Sequence, residues 1–308
     1  MVMGGRRSVL ALLALLLIFA ISAFVPVASS PGGAAVNTTG AYPVGVRVVA
    51  FSRGADRPLP TMVWYPAGPD AGHTGPGTAS RDARVAAGRF PLVVFSHGLQ
   101  SRPEDHVQLT TRWAAAGFVV IAPAYPHTKK GAPGYTRDDL VNQPADAWAV
   151  VLGVSRLDST PGDPFAGHLD TADVVAAGHS GGAYTAAAML QRGHSARLKG
   201  AIVIAGARPR FEFGGPPATM LFIHGDADPT VPYATGRAVY ARVPWDKGFL
   251  TLHGLNHGSY LSPGQRGFNE VMTSTTDFLR WRLDGDKHAR CSPGPLRTTF
   301  GPDKQLCG

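Results

Sequence analysis

Short apolar runs recur along the chain, each closed by Gly, Pro or polar turn residues. Leu92-Val93-Val94-Phe95, Phe118–Ala122, Val174–Ala177, Ala201–Ala205 and Met220–Ile223 show no alternation of polar and apolar positions. Unbroken runs of this length predict strands buried on both faces, as in parallel sheets covered by helices. Val44–Phe51 and Thr61–Tyr65 predict an opening strand pair, Pro91–Ser96 frames the third strand, and Phe249–Leu252 is the last. Between them, helical patterns occupy Pro103–Ala116, Asp138–Leu157 (with an internal Pro144), Gly182–Arg192 and Asn269–Leu283. Residues 68–90 read as an exposed Gly/Ala-rich loop. Strand and helix alternating in this way predict an α/β fold, a mostly parallel sheet of eight strands with helices on both faces. No repeat and no separating linker appears, so residues 31–290 form one domain.

The ends of the chain behave differently. Arg6 and Arg7 precede an uncharged run from Ser8 to Val25, and Pro26 and small residues follow. That is the layout of a signal peptide over residues 1–30. The run is also long enough to be retained as an N-terminal anchor. Either way the remainder is expected outside the cytoplasm: secreted, or membrane-anchored and facing outward. Cys291 and Cys307 are the only cysteines, and in an exported protein the pair reads as one disulfide closing a tail over 291–308. Closing that loop would stabilise by roughly 3 kcal/mol.

Composition then removes several classes. Two cysteines exclude a disulfide scaffold, and 38 Gly with 26 Pro follow no period, which excludes collagen-like and solenoid chains. The balance of 29 basic to 21 acidic residues gives +8, yet adjacent basic pairs are confined to Arg6-Arg7 and Lys129-Lys130. No nucleic-acid motif accompanies that charge, so no nucleic-acid partner is expected. His106, His127, His168 and His194 lack ligand spacing, so no metal is expected. G-x-G-x-x-G and G-K-[ST] loops are absent, which argues against hydride and phosphoryl transfer.

The chemistry gathers after the strands. Gly178-His179-Ser180-Gly181-Gly182 has the G-x-S-x-G form and falls between a predicted strand and an Ala-rich helix. This is the context of a nucleophile elbow, where small neighbours let the backbone turn sharply around an exposed serine. A serine needs a base to take its proton and an acid to orient that base. Met220–Ile223 runs into His224-Gly225-Asp226-Ala227-Asp228-Pro229, and Phe249–Leu252 runs into His253-Gly254-Leu255-Asn256-His257-Gly258. The order Ser, acid, His and the placement past strand ends both agree with a hydrolase triad. Asp226 competes with Asp228 for the acid, its alternative being to shape its own turn, and His253 competes with His257.

These motifs, with His97-Gly98 after the third strand and the stretches PLVVFSHG and AAAGFVVIAPAYPHT, resemble the α/β-hydrolase superfamily over about residues 44–284. Within it the chain is similar to secreted esterases: dienelactone-hydrolase, chlorophyllase-like, platelet-activating-factor-acetylhydrolase-like and actinobacterial cutinase-like proteins. The C-terminal cysteine pair is shared with them. The resemblance implies Ser180 as nucleophile, His257 as general base, Asp228 as orienting acid, and the backbone N–H groups of Leu99 and Gly181 as the oxyanion hole. Tyr125 and His127 become candidates for the pocket wall. It implies a secreted carboxylic ester hydrolase working without a cofactor on a small or extended ester. Amide or peptide hydrolysis of prolyl-oligopeptidase type, or a non-catalytic envelope protein of the same fold, are the alternatives. Only Gly206 to Thr219 separate two strands where a lid would be inserted, so no large cap fits. Gly181 stands where the polyester-hydrolase group carries Met, and Ala207-Arg208-Pro209-Arg210 where it carries Trp, which argues against a polyester site. An imidazole base further predicts a rate that rises with pH through roughly 6–7.

Overall fold

The computed structural model describes residues 41–72, 75–206, 211–291 and 294–300. They form a mixed α/β fold around one nine-stranded sheet. The strands are β1 (Val44–Ser52), β2 (Pro58–Pro66), β3 (Ser80–Arg81), β4 (Phe90–Ser96), β5 (Val119–Pro123), β6 (Leu169–His179), β7 (Leu198–Ile204), β8 (Thr219–Gly225) and β9 (Lys247–Leu252). Their order is β3-β1-β2-β5-β4-β6-β7-β8-β9. Only β2 runs antiparallel to its neighbours.

The unbroken apolar runs explain themselves once the two faces are separated. On β4, Phe90, Leu92 and Val94 enter one core cluster while Val93 and Phe95 enter the other. Successive side chains of a strand point to opposite faces, so a strand covered on both sides has no polar position to offer. Helices α2 (Gln143–Leu157), α3 (Gly181–Ala188) and α4 (Tyr233–Arg242) close the first cluster through Val150, Val154, Ala186 and Val239. Helices α1 (Val107–Ala115) and α5 (Phe268–Leu279) close the second through Trp113, Val271 and Phe278. Fully burying each such large side chain is worth about 1.5–3 kcal/mol.

Four expectations change. Residues 68–90 are not merely an exposed loop: β3 lies beside β1, and Val85 and Ala86 are buried. Pro144 does not interrupt a helix. The chain makes a 3₁₀ turn over Arg137–Val141, and α2 begins afresh with Pro144 in its first turn, where its missing N–H costs nothing. Helix α4 escaped detection because Gly236 sits in its middle and few of its side chains face the core. The stretch read only as a tail over 291–308 carries a helix, α7 (Pro295–Phe300), and α6 (Lys287–Cys291) leads into it. Phe300 of α7 packs on Trp281, with ring centroids 5.3 Å apart, and lies over Gly248 of the edge strand β9. The Cys291–Cys307 pairing, residues 1–30, Arg208 and Arg210 lie outside the described residues. Among the described residues no helix is long and apolar enough to cross a membrane.

Candidate active site

Strand β6 ends at His179, α3 begins at Gly181, and Ser180 alone makes the turn between them. Its backbone holds φ 58° and ψ −118°, a conformation that a residue with a Cβ rarely adopts. The turn is held because the Ser180 N–H donates to Ile204 O at 2.9 Å. Space forbids side chains beside it. A Cβ on Gly182 would lie 1.9 Å from Ser96 O, and one on Gly178 2.2 Å from Gly182 O. Strain is concentrated here. Of the four non-glycine residues with positive φ among those described, Gln100, Ser180 and Ala205 follow the carboxyl ends of β4, β6 and β7. Such clusters accompany functional sites, where the surrounding structure over-determines a costly conformation.

Strands β8 and β9 deliver an acid and a base to the same end of the sheet. The His257 Nδ1–H donates to Asp228 Oδ2 at 2.7 Å. The other carboxylate oxygen, Oδ1, accepts from the backbone N–H of Thr230 at 2.8 Å and of Val231 at 2.9 Å. Burial pushes the Asp228 carboxyl up, but these donors outweigh it and hold it below the usual carboxylate value. His224 lies behind it, buried, its Nε2–H donating to Val231 O at 2.9 Å and standing 3.2 Å from Asp228 Oδ2. Asp226 and His253 are drawn into a pair of their own. His253 Nδ1–H donates to Asp226 Oδ2 at 2.8 Å, and the His253 side chain is 85% exposed. Asp226 also accepts from the Gly254 N–H at 2.6 Å, so it ties the two strand-end turns together.

The loop after β4 supplies the second candidate oxyanion donor. His97 is buried, and burial lowers its imidazole pKa to about 4, so it is neutral near pH 7. The Tyr125 N–H donates to its Nε2 at 3.2 Å, which leaves the proton on Nδ1 to bind Gly98 O at 2.8 Å. That carbonyl belongs to the same peptide unit as the Leu99 N–H. In a trans peptide the two point in opposite directions, so gripping the carbonyl aims the N–H. Leu99 N lies 3.2 Å from where a Cβ on Gly181 would stand. The Leu99 and Gly181 N–H groups have no acceptor among the described residues. Leu140 Cδ2 lies 3.3 Å from the same Gly181 position. The turn carrying Leu140 is pinned by Arg57, which reaches Asp139 in two hydrogen bonds of 2.8 Å and also binds buried Asp146.

The structure therefore brings Asp228 to His257 and Leu99 to Gly181. It does not join Ser180 to His257 by a hydrogen bond: Ser180 Oγ makes none among the described residues. Tyr125 offers no wall, because it is 0% exposed and its hydroxyl bonds Ser96 Oγ at 2.7 Å beneath the site. His127 is half-buried, and its carbonyl accepts from the Thr136 N–H at 2.9 Å. Arg57, Leu140 and His224 were not singled out from the sequence as site residues. The paired Asp138-Asp139 just before a helix start was the only local signal for the Arg57 anchor. Among the described residues, no group of three or more His, Cys, Asp or Glu is placed to hold a metal ion.

No protein-family model matches this chain, and no curated protein matches it significantly. The functional reading therefore stands on the geometry.

Proposed function

We propose that this chain is a serine hydrolase of the α/β-hydrolase type that cleaves carboxylic esters outside the cytoplasm. The observation that carries the reading is the 2.7 Å bond from His257 to a buried Asp228, set beside a serine in a strained strand-to-helix turn. The sheet has nine strands where eight are expected, the extra one being the two-residue β3, and its mostly parallel, helix-covered form is compatible with that fold.

Asp228 accepts the Nδ1–H of His257, which leaves Nε2 as the basic nitrogen. The Ser180 hydroxyl turns toward that nitrogen when substrate binds, since catalytic hydrogen bonds are often long or unformed in free enzymes and tighten in the substrate complex. His257 takes the proton as Oγ attacks the ester carbonyl, and the Leu99 and Gly181 N–H groups stabilise the oxyanion. Each such donor is typically worth about 3–4 kcal/mol in the transition state. Collapse expels the alcohol, which receives the proton from His257. Water, activated by the same imidazole, then hydrolyses the acyl-Ser180 ester to the carboxylic acid.

The test is hydrolysis of p-nitrophenyl esters from acetate to palmitate by the protein and by Ser180→Ala. Turnover lost in the variant is the expected result. A folded protein that turns over no ester overturns the reading, and activity confined to p-nitroanilides replaces it with amide hydrolysis.

A further inference from the structure

His179 occupies the variable position of the elbow motif, where the sequence asks only for a residue that fits the turn. Among the described residues, its side chain makes the hydrogen bond from the elbow to the loop of the base. Its Nε2 lies 2.9 Å from the main-chain carbonyl oxygen of His257. A carbonyl can only accept, so this nitrogen carries the imidazole proton. The ring lies between two others: the His257 ring at 4.9 Å between centroids and the His106 ring at 5.7 Å. A Cβ on Gly258 would stand 3.3 Å from the same Nε2, so the turn after His257 closes directly on this ring. Burial lowers the His179 pKa to about 4, which keeps the ring a neutral donor across the range where His257 acts as base.

We propose that His179 is a positioning residue for the base: the bond from its Nε2–H to the His257 carbonyl sets the distance between the Ser180 hydroxyl and the imidazole that deprotonates it. The inference rests on the esterase reading of Ser180 and His257. Its logic is one of chain adjacency. One end of the bond is the residue bonded to the nucleophile, whose backbone the strained turn fixes; the other end is the main chain of the base itself. Other bonds hold the base loop to itself and to the acid turn: Asn256 Oδ1 accepts from the Gly258 and Ser259 N–H at 3.1 and 2.9 Å, and the Ala227 N–H donates to Leu255 O at 3.1 Å. The Tyr260 hydroxyl shares the His257 carbonyl at the longer distance of 3.4 Å, and it comes from the base loop's own side and not from the elbow. Catalysis is sensitive to this distance, since a misplacement of about 1 Å costs on the order of 10²-fold in rate.

Two amides separate this role from simple packing. His179→Gln places an N–H near the position of the imidazole Nε2, whereas His179→Asn carries the same donor one methylene short of the carbonyl. On p-nitrophenyl butyrate, His179→Asn is expected to lose about 10²-fold in kcat with KM within about twofold, and His179→Gln to stay within about fivefold of the parent. His179→Phe, which fills the space without a donor, gives the same reading as Asn and replaces it if Asn does not fold. Equal losses in Gln and Phe, or no loss in either Asn or Phe, overturn the proposal. A parent protein without esterase activity, or an active Ser180→Ala, overturns the esterase reading instead.

Discussion

Replacing Ser180 with glycine should make the protein more stable while abolishing its activity. Ser180 holds φ 58° and ψ −118°. A residue with a Cβ in so sparsely populated a region carries roughly 1–3 kcal/mol of strain. Glycine adopts positive φ freely and releases it. Against this stands the larger conformational freedom of glycine in the unfolded chain, worth about 0.4–1 kcal/mol. The hydroxyl has no hydrogen bond among the described residues to forfeit. The balance favours Ser180→Gly by about 1 kcal/mol, which for a domain of this size raises Tm by about 2–4 °C. Ser180→Ala is the control. It removes the same nucleophile but keeps the Cβ, and should melt within about 1–2 °C of the parent. Thermal melts followed by circular dichroism and calorimetry at one pH decide the matter. A glycine variant that melts at or below the alanine variant refutes the argument that the elbow stores strain.

Two further outcomes follow from the acid–base geometry and the buried histidines. Asp228→Asn should lower kcat by roughly 10⁴-fold through loss of the correct His257 tautomer, whereas Asp226→Asn, which keeps an oxygen for the Gly254 N–H and loses only the charge facing exposed His253, should stay within about twofold; steady-state kinetics on one ester compares them, and a loss at Asp226 as large as that at Asp228 would refute the assignment. Burial lowers the pKa of His97 to about 4 and of His106 to about 3, so the folded state binds fewer protons than the unfolded state below the ordinary histidine value. Stability should then fall as pH drops from about 6.5 toward 4, by up to about 1.4 kcal/mol per pH unit for each histidine, and urea midpoints unchanged between pH 7 and 4.5 would refute it.

The sheet was legible in the sequence because each strand satisfies both faces at once. Leu92-Val93-Val94-Phe95 divides between two cores, and a run this short, rich in β-branched and aromatic residues and bounded by turn residues, fits a strand covered on both faces better than a buried helix. Ser180 was legible for a local reason as well: the turn it makes demands small residues at fixed offsets. What was hidden depends on partners far away in the chain. The sequence offers Asp226 and Asp228, and His253 and His257, two residues apart and four apart. Only the fold shows that they sort into an exposed pair and a buried one. Strand β3 and helix α7 share the same difficulty. Each is too short to show a period, and each exists because it covers a neighbour, β1 or β9.

Precision at the site is set less by side chains than by how closely the backbones of separate strand ends approach. A Cβ on Gly182 would enter Ser96 O of β4, and a Cβ on Gly225 would stand 2.2 Å from Leu255 O in the loop of the base. The first contact locks the elbow to the strand before the Leu99 loop; the second locks the acid turn to the base turn. Backbone has no rotamers, so such junctions hold positions without the entropy cost of ordering long side chains. They leave one gap: among the described residues, no glycine junction or backbone hydrogen bond of this kind joins the elbow to the base loop. The His179 imidazole bridges it by reaching a main-chain carbonyl at 2.9 Å, completing with a side chain what glycine does elsewhere. That is the physical reason a position left open by the motif becomes a constrained one in this fold.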